Sequence, residues 1–421
     1  MSPIKNNRVY LTDGMMRRTL AATRALGKEG VLVTCGEESK FNPTFYSRHC
    51  HETDLYPSPR NNPQQFIQHL LHYLRQNPHE YLIPMEQDTL DLVMSHRHQF
   101  EQVTQLPFAD FATYSIFRDK SRTMALAEQE GLPHPRTVQP KSLESLLDDV
   151  QSLRFPVVIK PRYSWGSRGI RFIDTPEDLV KEYRLVHEED PLPIVQEQIP
   201  QGDKYYVCCL MDDEQNLVAH TIHKELRNYP LRNGPSTAQQ TVDWPELKEI
   251  TEKLLRAGKW YGVANSDFMI DPRDGTPMLM EVNPRFWGPL QASIQAGVNF
   301  PYLLVRLARG EEVEIIPDFS VDEVCRAFLP YDLIHFLANP KRFQMNPSFF
   351  KFWGRKIRYD ILSWRDPMPT FGFFLTVLRF AADPEIWIRQ ARMEKAGRLM
   401  AKILGKKVTD FNAQSSQSTP V

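Results

Sequence analysis

The stretch Glu-Val-Asn-Pro-Arg at residues 281–285 places an acid, an amide and a guanidinium at every second position. Alternate residues of a β-strand point to the same face, so Glu281, Asn283 and Arg285 would share one face. Asp267 lies on the preceding predicted strand, which a turn rich in Pro, Asp and Gly joins to this one. Carboxylate and amide oxygens from paired strands suit Mg²⁺ between nucleotide phosphates. A solvated hairpin face is the alternative for an Asp/Glu pair alone.

A second motif lies upstream, where Phe-Pro-Val-Val-Ile-Lys-Pro-Arg at residues 155–162 predicts a buried strand ending near Lys160. The loop that follows contains Gly166 and Gly169 among small and basic residues. The backbone N–H groups of such a loop can approach phosphates while a lysine neutralises their charge. Alone, the pattern equally fits a plain strand end and turn. Together with the hairpin it favours a nucleotide-phosphate site.

The first 113 residues predict an α/β unit. Val9–Leu11 and Val31–Thr34 have the pattern of buried strands around a helix at Met15–Leu26, and Tyr81–Pro84 that of a further parallel strand. The first turn lacks the G-x-G-x-x-G spacing, which argues against a nicotinamide cofactor.

The pattern changes after this unit. Predicted strands alternate at Ile194–Gln198, Tyr205–Leu210 and Leu217–His223, which favours a mixed or antiparallel sheet. Helices are predicted over Leu143–Gln151, Pro176–His187 and Pro245–Ala257.

The amino-acid composition excludes several classes of protein. The 421 residues are 41% hydrophobic and 24% charged, which is typical of a globular chain of two or three domains. Lys and Arg total 51 against 52 Asp and Glu, so the whole chain offers no case for a nucleic-acid partner. The five cysteines are scattered without a C-x-x-C pair, and no apolar run reaches the ~20 residues of a spanning helix. We expect a cytoplasmic protein.

Taken in order, these motifs and an Asp-Lys helix start at residues 119–120 resemble the ATP-grasp ligases, particularly the branch similar to carbamoyl phosphate synthase and the carboxylate-amine ligases. The resemblance implies an α/β (α+β) class, with an ATP-grasp fold preceded by a Rossmann-like pre-ATP-grasp domain and followed by a helical extension. The implied divisions are an N-terminal domain at 1–113, a small lobe at 114–193, a C-terminal lobe at 194–335, a helical region at 336–411 and a disordered tail at 412–421.

The resemblance also implies roles for single residues. Lys120 and Lys160 would contact the ATP phosphates, beneath a loop containing Ser164, Gly166, Ser167, Arg168 and Gly169. Glu197 and Ile199 would hold the adenine and Asp203 the ribose. Asp267, Glu281 and Asn283 would bind one or two Mg²⁺ ions, for which Mn²⁺ could substitute. Arg285 would steady an acyl phosphate, with Lys160 and Asn283 beside it in catalysis.

Two positions depart from the family pattern. The adenine segment, Val-Gln-Glu-Gln-Ile-Pro at residues 195–200, leaves its contacting residue uncertain by one position, and Asp203 stands where relatives often have Glu. Both departures concern nucleotide affinity rather than the reaction.

The implied reaction is ADP-forming and Mg²⁺-dependent, and it joins a small-molecule carboxylate to an amine through an acyl phosphate. A thiol or carboxylase-like acceptor, and a nucleotide-binding protein without turnover, are the alternatives. From the residues themselves we predict that Lys224 and Arg227 hold the substrate carboxylate, because Arg offers a bidentate fork and Lys a point charge. An exposed basic strand end and loop is the other interpretation.

The C-terminal segment differs in charge from the rest. Residues 341–410 carry 15 Lys and Arg against six Asp and Glu, and eleven Phe and Trp lie within residues 341–398. Basic residues mixed with aromatic ones suit peripheral contact with an anionic membrane. Packing of these aromatics in a helical subdomain against the core is the alternative, and a homodimer is left open.

Overall fold

The computed structural model describes residues 6–164, 166, 168–231 and 234–382. The described residues form three β-sheets, and each sheet is built from strands that are consecutive in the sequence. The expected tail at 412–421 and the part of the basic segment after residue 382 lie outside the described residues.

The N-terminal sheet is parallel, with strand order β3-β2-β1-β4. Its elements are β1 (Arg8–Leu11), α1 (Arg17–Lys28), β2 (Leu32–Glu37), a 3₁₀ turn (Thr44–Tyr46), β3 (Cys50–Leu55), α2 (Pro63–Gln76), β4 (Tyr81–Ile83), α3 (Gln87–Ser95) and α4 (Arg97–Phe100). Val9, Tyr10 and Leu11 are fully buried, as expected of a strand covered on both faces. The predicted α/β unit is confirmed, although β3 was missed because its residues are mostly polar and exposed.

The small sheet has strand order β5-β8-β6-β7 and only antiparallel pairs. This part of the chain comprises α5 (Phe111–Arg118), α6 (Lys120–Gln129), β5 (Thr137–Val138), α7 (Leu146–Asp149), β6 (Val157–Lys160), β7 (Arg171–Ile173), α8 (Pro176–Glu189) and β8 (Ile194–Glu197). Because β8 pairs with both β5 and β6, the strand expected to open the C-terminal lobe belongs to this sheet instead.

The helix predicted over Leu143–Gln151 was too long, since α7 covers only four residues. The hydroxyls of Ser142 and Ser145 accept hydrogen bonds from each other's backbone N–H groups, and Asp149 accepts one from the N–H of Lys141. Such local bonds compete with the helical pattern.

The large sheet has seven strands in the order β13-β12-β9-β10-β11-β14-β15. The elements are β9 (Lys204–Met211), β10 (Leu217–Asn228), β11 (Ser236–Thr241), α9 (Pro245–Ala257), β12 (Gly262–Ile270), β13 (Pro277–Asn283), α10 (Leu290–Gln295), α11 (Phe300–Ala308), β14 (Val324–Arg326), a π turn (Phe328–Asp332), α12 (Leu333–Ala338), a 3₁₀ turn (Arg342–Gln344), β15 (Ile357–Tyr359) and α13 (Met368–Ala382). All pairs are antiparallel except β14 with β15, which confirms the predicted mixed sheet.

One expectation for this sheet was wrong. Strand β10 continues five residues beyond His223, because the stretch from His223 to Asn228 pairs with β11. The region after residue 336 contains the helix α13, and its strand β15 extends the sheet edge. Ion pairs from α1, Arg17 with Asp360 and Arg24 with Asp366, fix this segment to the N-terminal unit. Among the described helices, none is long and apolar enough to cross a bilayer.

Candidate functional site

The β12–β13 hairpin forms the floor of the candidate site. Asp267 pairs directly with Glu281, and Asn265 with Asn283. The Asn265 amide donates to the Asp267 carboxylate, and Asn283 Nδ2 donates to Glu281 Oε1 at 3.3 Å. The predicted meeting of Asp267, Glu281 and Asn283 is therefore confirmed. Asn265 was missed, although it precedes Asp267 by the same two positions that separate Glu281 from Asn283.

The two carboxylates differ in charge state because their neighbours differ. Burial, and then the charge of Glu281, raise the pKa of Asp267 well above its usual value. Burial also opposes ionisation of Glu281, but Lys120 and Lys160 outweigh it and lower its pKa. Facing carboxylates of this kind fit a cation, which would let both ionise. Since no cluster of three His, Cys, Asp or Glu side chains suited to a metal occurs in the described residues, such an ion would also need amide, water or phosphate oxygens.

Two lysines approach Glu281 from the small-sheet side. Lys120 is the first residue of α6, and its Nζ lies 3.4 Å from Glu281 Oε2 while also donating to the carbonyl of Ser164. Lys160 ends β6, and no carboxylate of the described chain lies within 4.0 Å of its Nζ. Burial lowers the pKa of Lys160 to about 8, with Lys120 acting in the same direction and Glu281 opposing. Because Glu281 pairs only with Lys120 in the described part of the chain, positive charge near the hairpin is left available for phosphates.

The loop between β6 and β7 joins two strands of the small sheet and approaches the N-terminal unit at Arg168. Gly166 and Gly169 have φ of 64° and 70°, a region that L side chains rarely adopt, and a Cβ at Gly169 would lie 2.7 Å from Cγ of Pro161. Burial, and then the charge of Arg60, lower the pKa of Arg168, while Asp88 and Glu86 oppose this shift. Ser167 lies outside the described residues.

The residues expected at the nucleotide base and ribose lie at the end of β8 and just after it. Glu197 Oε1 accepts a hydrogen bond from the backbone N–H of Arg154 at 2.9 Å, and Ile199 is buried. Asp203 Oδ2 accepts one from Lys224 Nζ at 2.5 Å. Lys224 therefore contacts Asp203, the residue expected to bind the ribose, although we predicted Lys224 as a ligand of the substrate carboxylate.

Arg227 does not have the geometry of a substrate ligand. It lies within β10, buried, with Nη1 3.4 Å from Asp332 Oδ1 and Nη2 donating to the Pro347 carbonyl at 3.2 Å. The longer β10 carries the Arg227 side chain into the protein interior, where Asp332 rather than a substrate carboxylate is its counter-charge.

Arg285 and Arg18 meet at the carbonyl of Phe286. Arg285 Nη1 donates to this oxygen at 2.9 Å and Nη2 to Asn283 Oδ1 at 3.1 Å, while Arg18 Nη1 donates to it at 3.0 Å. Arg18 also pairs with Glu86, with Nη2 2.8 Å from Oε2. Burial lowers the pKa of Arg18 to about 10, despite Glu86 and with Arg285 contributing. Sequence reasoning missed Arg18 and Glu86, which no local motif marks.

Glu225 is a further residue that the sequence did not indicate. Its carboxylate accepts a hydrogen bond from the Tyr206 hydroxyl and lies 3.7 Å from Lys204 Nζ. Burial raises the pKa of Glu225, and its charge in turn adds to the raised pKa of Asp267. Only the extension of β10 places this side chain beside the hairpin.

The family model described as ATP-grasp in the biosynthetic pathway with Ter operon matches residues 194–327, which hold this hairpin and its flanking strands. This part of the chain is therefore similar to an ATP-grasp domain. This chain is 25% identical over 288 residues to the carbamoyl phosphate synthase large chain of Thermotoga petrophila, covering 58% of this chain and 26% of that one. It is 28% identical over 204 residues to D-alanine–D-alanine ligase A of Bacillus cereus, covering 45% and 66%.

A solved structure supports the same ATP-grasp fold. The biotin carboxylase domain dimer of Hydrogenobacter thermophilus 2-oxoglutarate carboxylase, complexed with MgADP, ADP and bicarbonate, superposes with a TM-score of 0.63 at 16% identity, covering 76% of this chain and 73% of that one. This likeness shows the fold. This chain spans only about a quarter of the synthase it matches, so the activity of that whole protein does not transfer directly.

Proposed function

We propose that this protein is an ATP- and Mg²⁺-dependent, ADP-forming ligase that joins a small-molecule carboxylate to an amine through an acyl phosphate. The observation that carries the proposal is the arrangement of Lys120 and Lys160 opposite the Asp267–Glu281 pair. Positive charge available for phosphates and paired, half-buried carboxylates for a cation meet there in one site.

ATP would lie between the small and large sheets. Lys120, Lys160 and the backbone of the 164–169 loop would hold its phosphates. Glu197 and Ile199 would contact the adenine, and Asp203 the ribose. The ion pair between Asp203 and Lys224 means that ribose hydroxyls would have to share this carboxylate with a lysine.

Asp267, Glu281 and Asn283 would hold the magnesium, with the Asn265 amide keeping Asp267 in place. When bound, Mg²⁺ would neutralise charge on the transferring phosphoryl group, and Mn²⁺ supplies the same hard oxygen coordination. The chain's own groups do the positioning on which phosphoryl transfer depends.

A carboxylate oxygen of the acid substrate attacks the γ-phosphorus, the bond to the β-phosphate oxygen breaks, and ADP leaves. The amine then attacks the acyl carbon, inorganic phosphate leaves, and the nitrogen gives up a proton. Arg285 would steady the acyl phosphate and, in place of Arg227, the substrate carboxylate. Its Nε is buried and without a partner among the described residues, as is that of Arg18, so both guanidiniums have a donor available.

The decisive experiment measures ADP and phosphate release from MgATP across pairs of amino acids, hydroxy acids and amines. Release that requires both an acid and an amine, and yields the joined product by mass, supports the proposal. Release driven by a thiol, or by bicarbonate with biotin, would instead identify one of the other acceptors. Tight ATP binding without release under any pairing would favour a protein without turnover.

The cytoplasmic location stays a prediction. All five cysteines are free, as is usual in a reducing compartment.

A further inference from the structure

A connected group of aromatic rings lies beyond the far edge of the large sheet. Phe336, Phe349 and Phe352 form its base, and Phe343, Phe350 and Trp353 extend from it into solvent, with ring centroids 5.4–6.3 Å apart along the outer contacts. These three outer side chains are 77%, 56% and 82% exposed. We call Phe343, Phe350 and Trp353 the aromatic patch. Large aromatic rings left together in water are typical of a binding surface.

The segment of sequence that contains the aromatic patch has basic residues and no acidic ones. Between Asp332 and Asp360 the chain has no Asp or Glu, but it has six basic residues, namely Lys341, Arg342, Lys351, Arg355, Lys356 and Arg358. The two flanking carboxylates are buried and paired with Arg326 and Arg17. Lys356 is 3.8 Å from Asp322, whereas Lys341, Lys351 and Arg355 are exposed and have no carboxylate within 4.0 Å in the described chain.

The aromatic patch is remote from the candidate site. Backbone carbonyls of Phe349 and Lys351 accept hydrogen bonds from Arg326 on β14, which fixes the segment at that edge. Four strand spacings separate β14 from β12, or roughly 19 Å at ~4.8 Å each. A partner could therefore cover the patch without covering the hairpin.

We propose that the aromatic patch and its basic surroundings dock the protein on the surface of an anionic lipid bilayer. Aromatic rings partition into the headgroup region, and basic residues gain from the negative surface potential. Three of the six cations are lysines, which protein–protein interfaces tend to exclude but lipid headgroups accept. The proposal does not depend on the reaction catalysed at the hairpin.

Vesicle co-sedimentation of the full chain tests this proposal. Binding is expected to vesicles of phosphatidylcholine with about a third phosphatidylglycerol, and to fall as salt rises. Lys351→Gln with Arg355→Gln should weaken it about thirtyfold, because each basic residue near such a surface contributes about fivefold. Trp353→Ser should weaken it roughly tenfold through lost apolar burial.

Matched controls lie elsewhere on the surface. Lys141→Gln with Lys181→Gln removes two exposed lysines of the small-sheet region, and Phe111→Ser an exposed ring of α5; neither should change vesicle binding. Equal unfolding midpoints across the variants would show that all are folded. Failure of the wild type to bind, equal binding to pure phosphatidylcholine, or equal losses in the controls would overturn the proposal. So would a dimer, seen by analytical ultracentrifugation, that Trp353→Ser dissociates while no vesicle binding occurs.

Discussion

Two groups of buried charges lie toward opposite edges of the large sheet, and they are satisfied very differently. In the first, Asp332 accepts hydrogen bonds from Arg326 and Thr237 and pairs with Arg227. Backbone carbonyls accept hydrogen bonds from further Nη groups of these arginines, and Arg227 Nε alone of their guanidinium nitrogens has no partner among the described residues. In the second, around the β12–β13 hairpin, Asp267 faces Glu281 and Lys160 lacks a close carboxylate.

The difference separates a structural cluster from a functional one. A buried charge that the protein itself neutralises fixes the fold, whereas charges left only partly compensated are available to a ligand. On this criterion Arg227 belongs to the first cluster, which we call the Asp332 cluster. Lys120, Lys160, Asp267, Glu281 and Arg285 form the second, which we call the hairpin cluster.

The largest expected effect is the loss of turnover in Glu281→Gln. Removing this charge takes away a magnesium ligand and the counter-charge of two lysines, so ADP release should fall about 10³-fold. The unfolding midpoint should change little, since the hairpin cluster is not what stabilises the sheet. Glu249→Gln, at an exposed position on α9, is the control and should retain full activity. Substantial residual turnover in Glu281→Gln would remove this residue from the reaction.

The opposite pattern is expected for Asp332→Ala. It leaves Arg326 and Arg227 buried without a counter-charge, which should lower the free energy of unfolding in urea by about 3–5 kcal/mol. ADP release per folded molecule should stay within about twofold. Asp318→Ala, which changes an exposed carboxylate, should have no measurable effect on either quantity. An unchanged free energy of unfolding in Asp332→Ala would show that the Asp332 cluster does not stabilise the fold, and our distinction between the two clusters would be wrong.

The pH dependence of ATP binding tests the state of Lys160. Its pKa is lowered to about 8, and only the protonated form attracts phosphate. ATP affinity should therefore be constant well below pH 8 and fall as pH rises through it, by up to about tenfold per unit. Calorimetric titrations between pH 6.5 and 9.5 measure this. The ATP affinity of Lys160→Arg should not change over that range. An equally steep fall of affinity in this variant would assign the titration to another group.

The smallest effect is expected at Arg227. Because its guanidinium is occupied by Asp332 and Pro347, Arg227→Lys should leave the KM for the acid substrate within about twofold. Arg285→Lys should raise the same KM at least tenfold, since a bidentate donor is lost where the substrate carboxylate would lie. A KM raised in Arg227→Lys and unchanged in Arg285→Lys would reverse our assignment of the two arginines.

Sequence reasoning succeeded where function depends on local spacing. The i, i+2 pattern of Glu281 and Asn283 and the hairpin turn predict which side chains share a face, because strand geometry has a period of two. It also predicted the parallel N-terminal sheet from short apolar runs. It failed at β3, whose polar residues carry no such pattern, and at the end of β10, where pairing with β11 extends the strand.

The sequence by itself determined the fold class, the hairpin with its carboxylates and the two lysines that face them, since motifs a few residues long specify each of these. Only the tertiary structure decided that Arg18, Glu86 and Glu225 surround the hairpin and that Arg227 does not. Those side chains come from elements far apart in the chain. Whether a charge is neutralised by the protein depends on partners such as Asp332, 105 residues from Arg227, which no local pattern can identify.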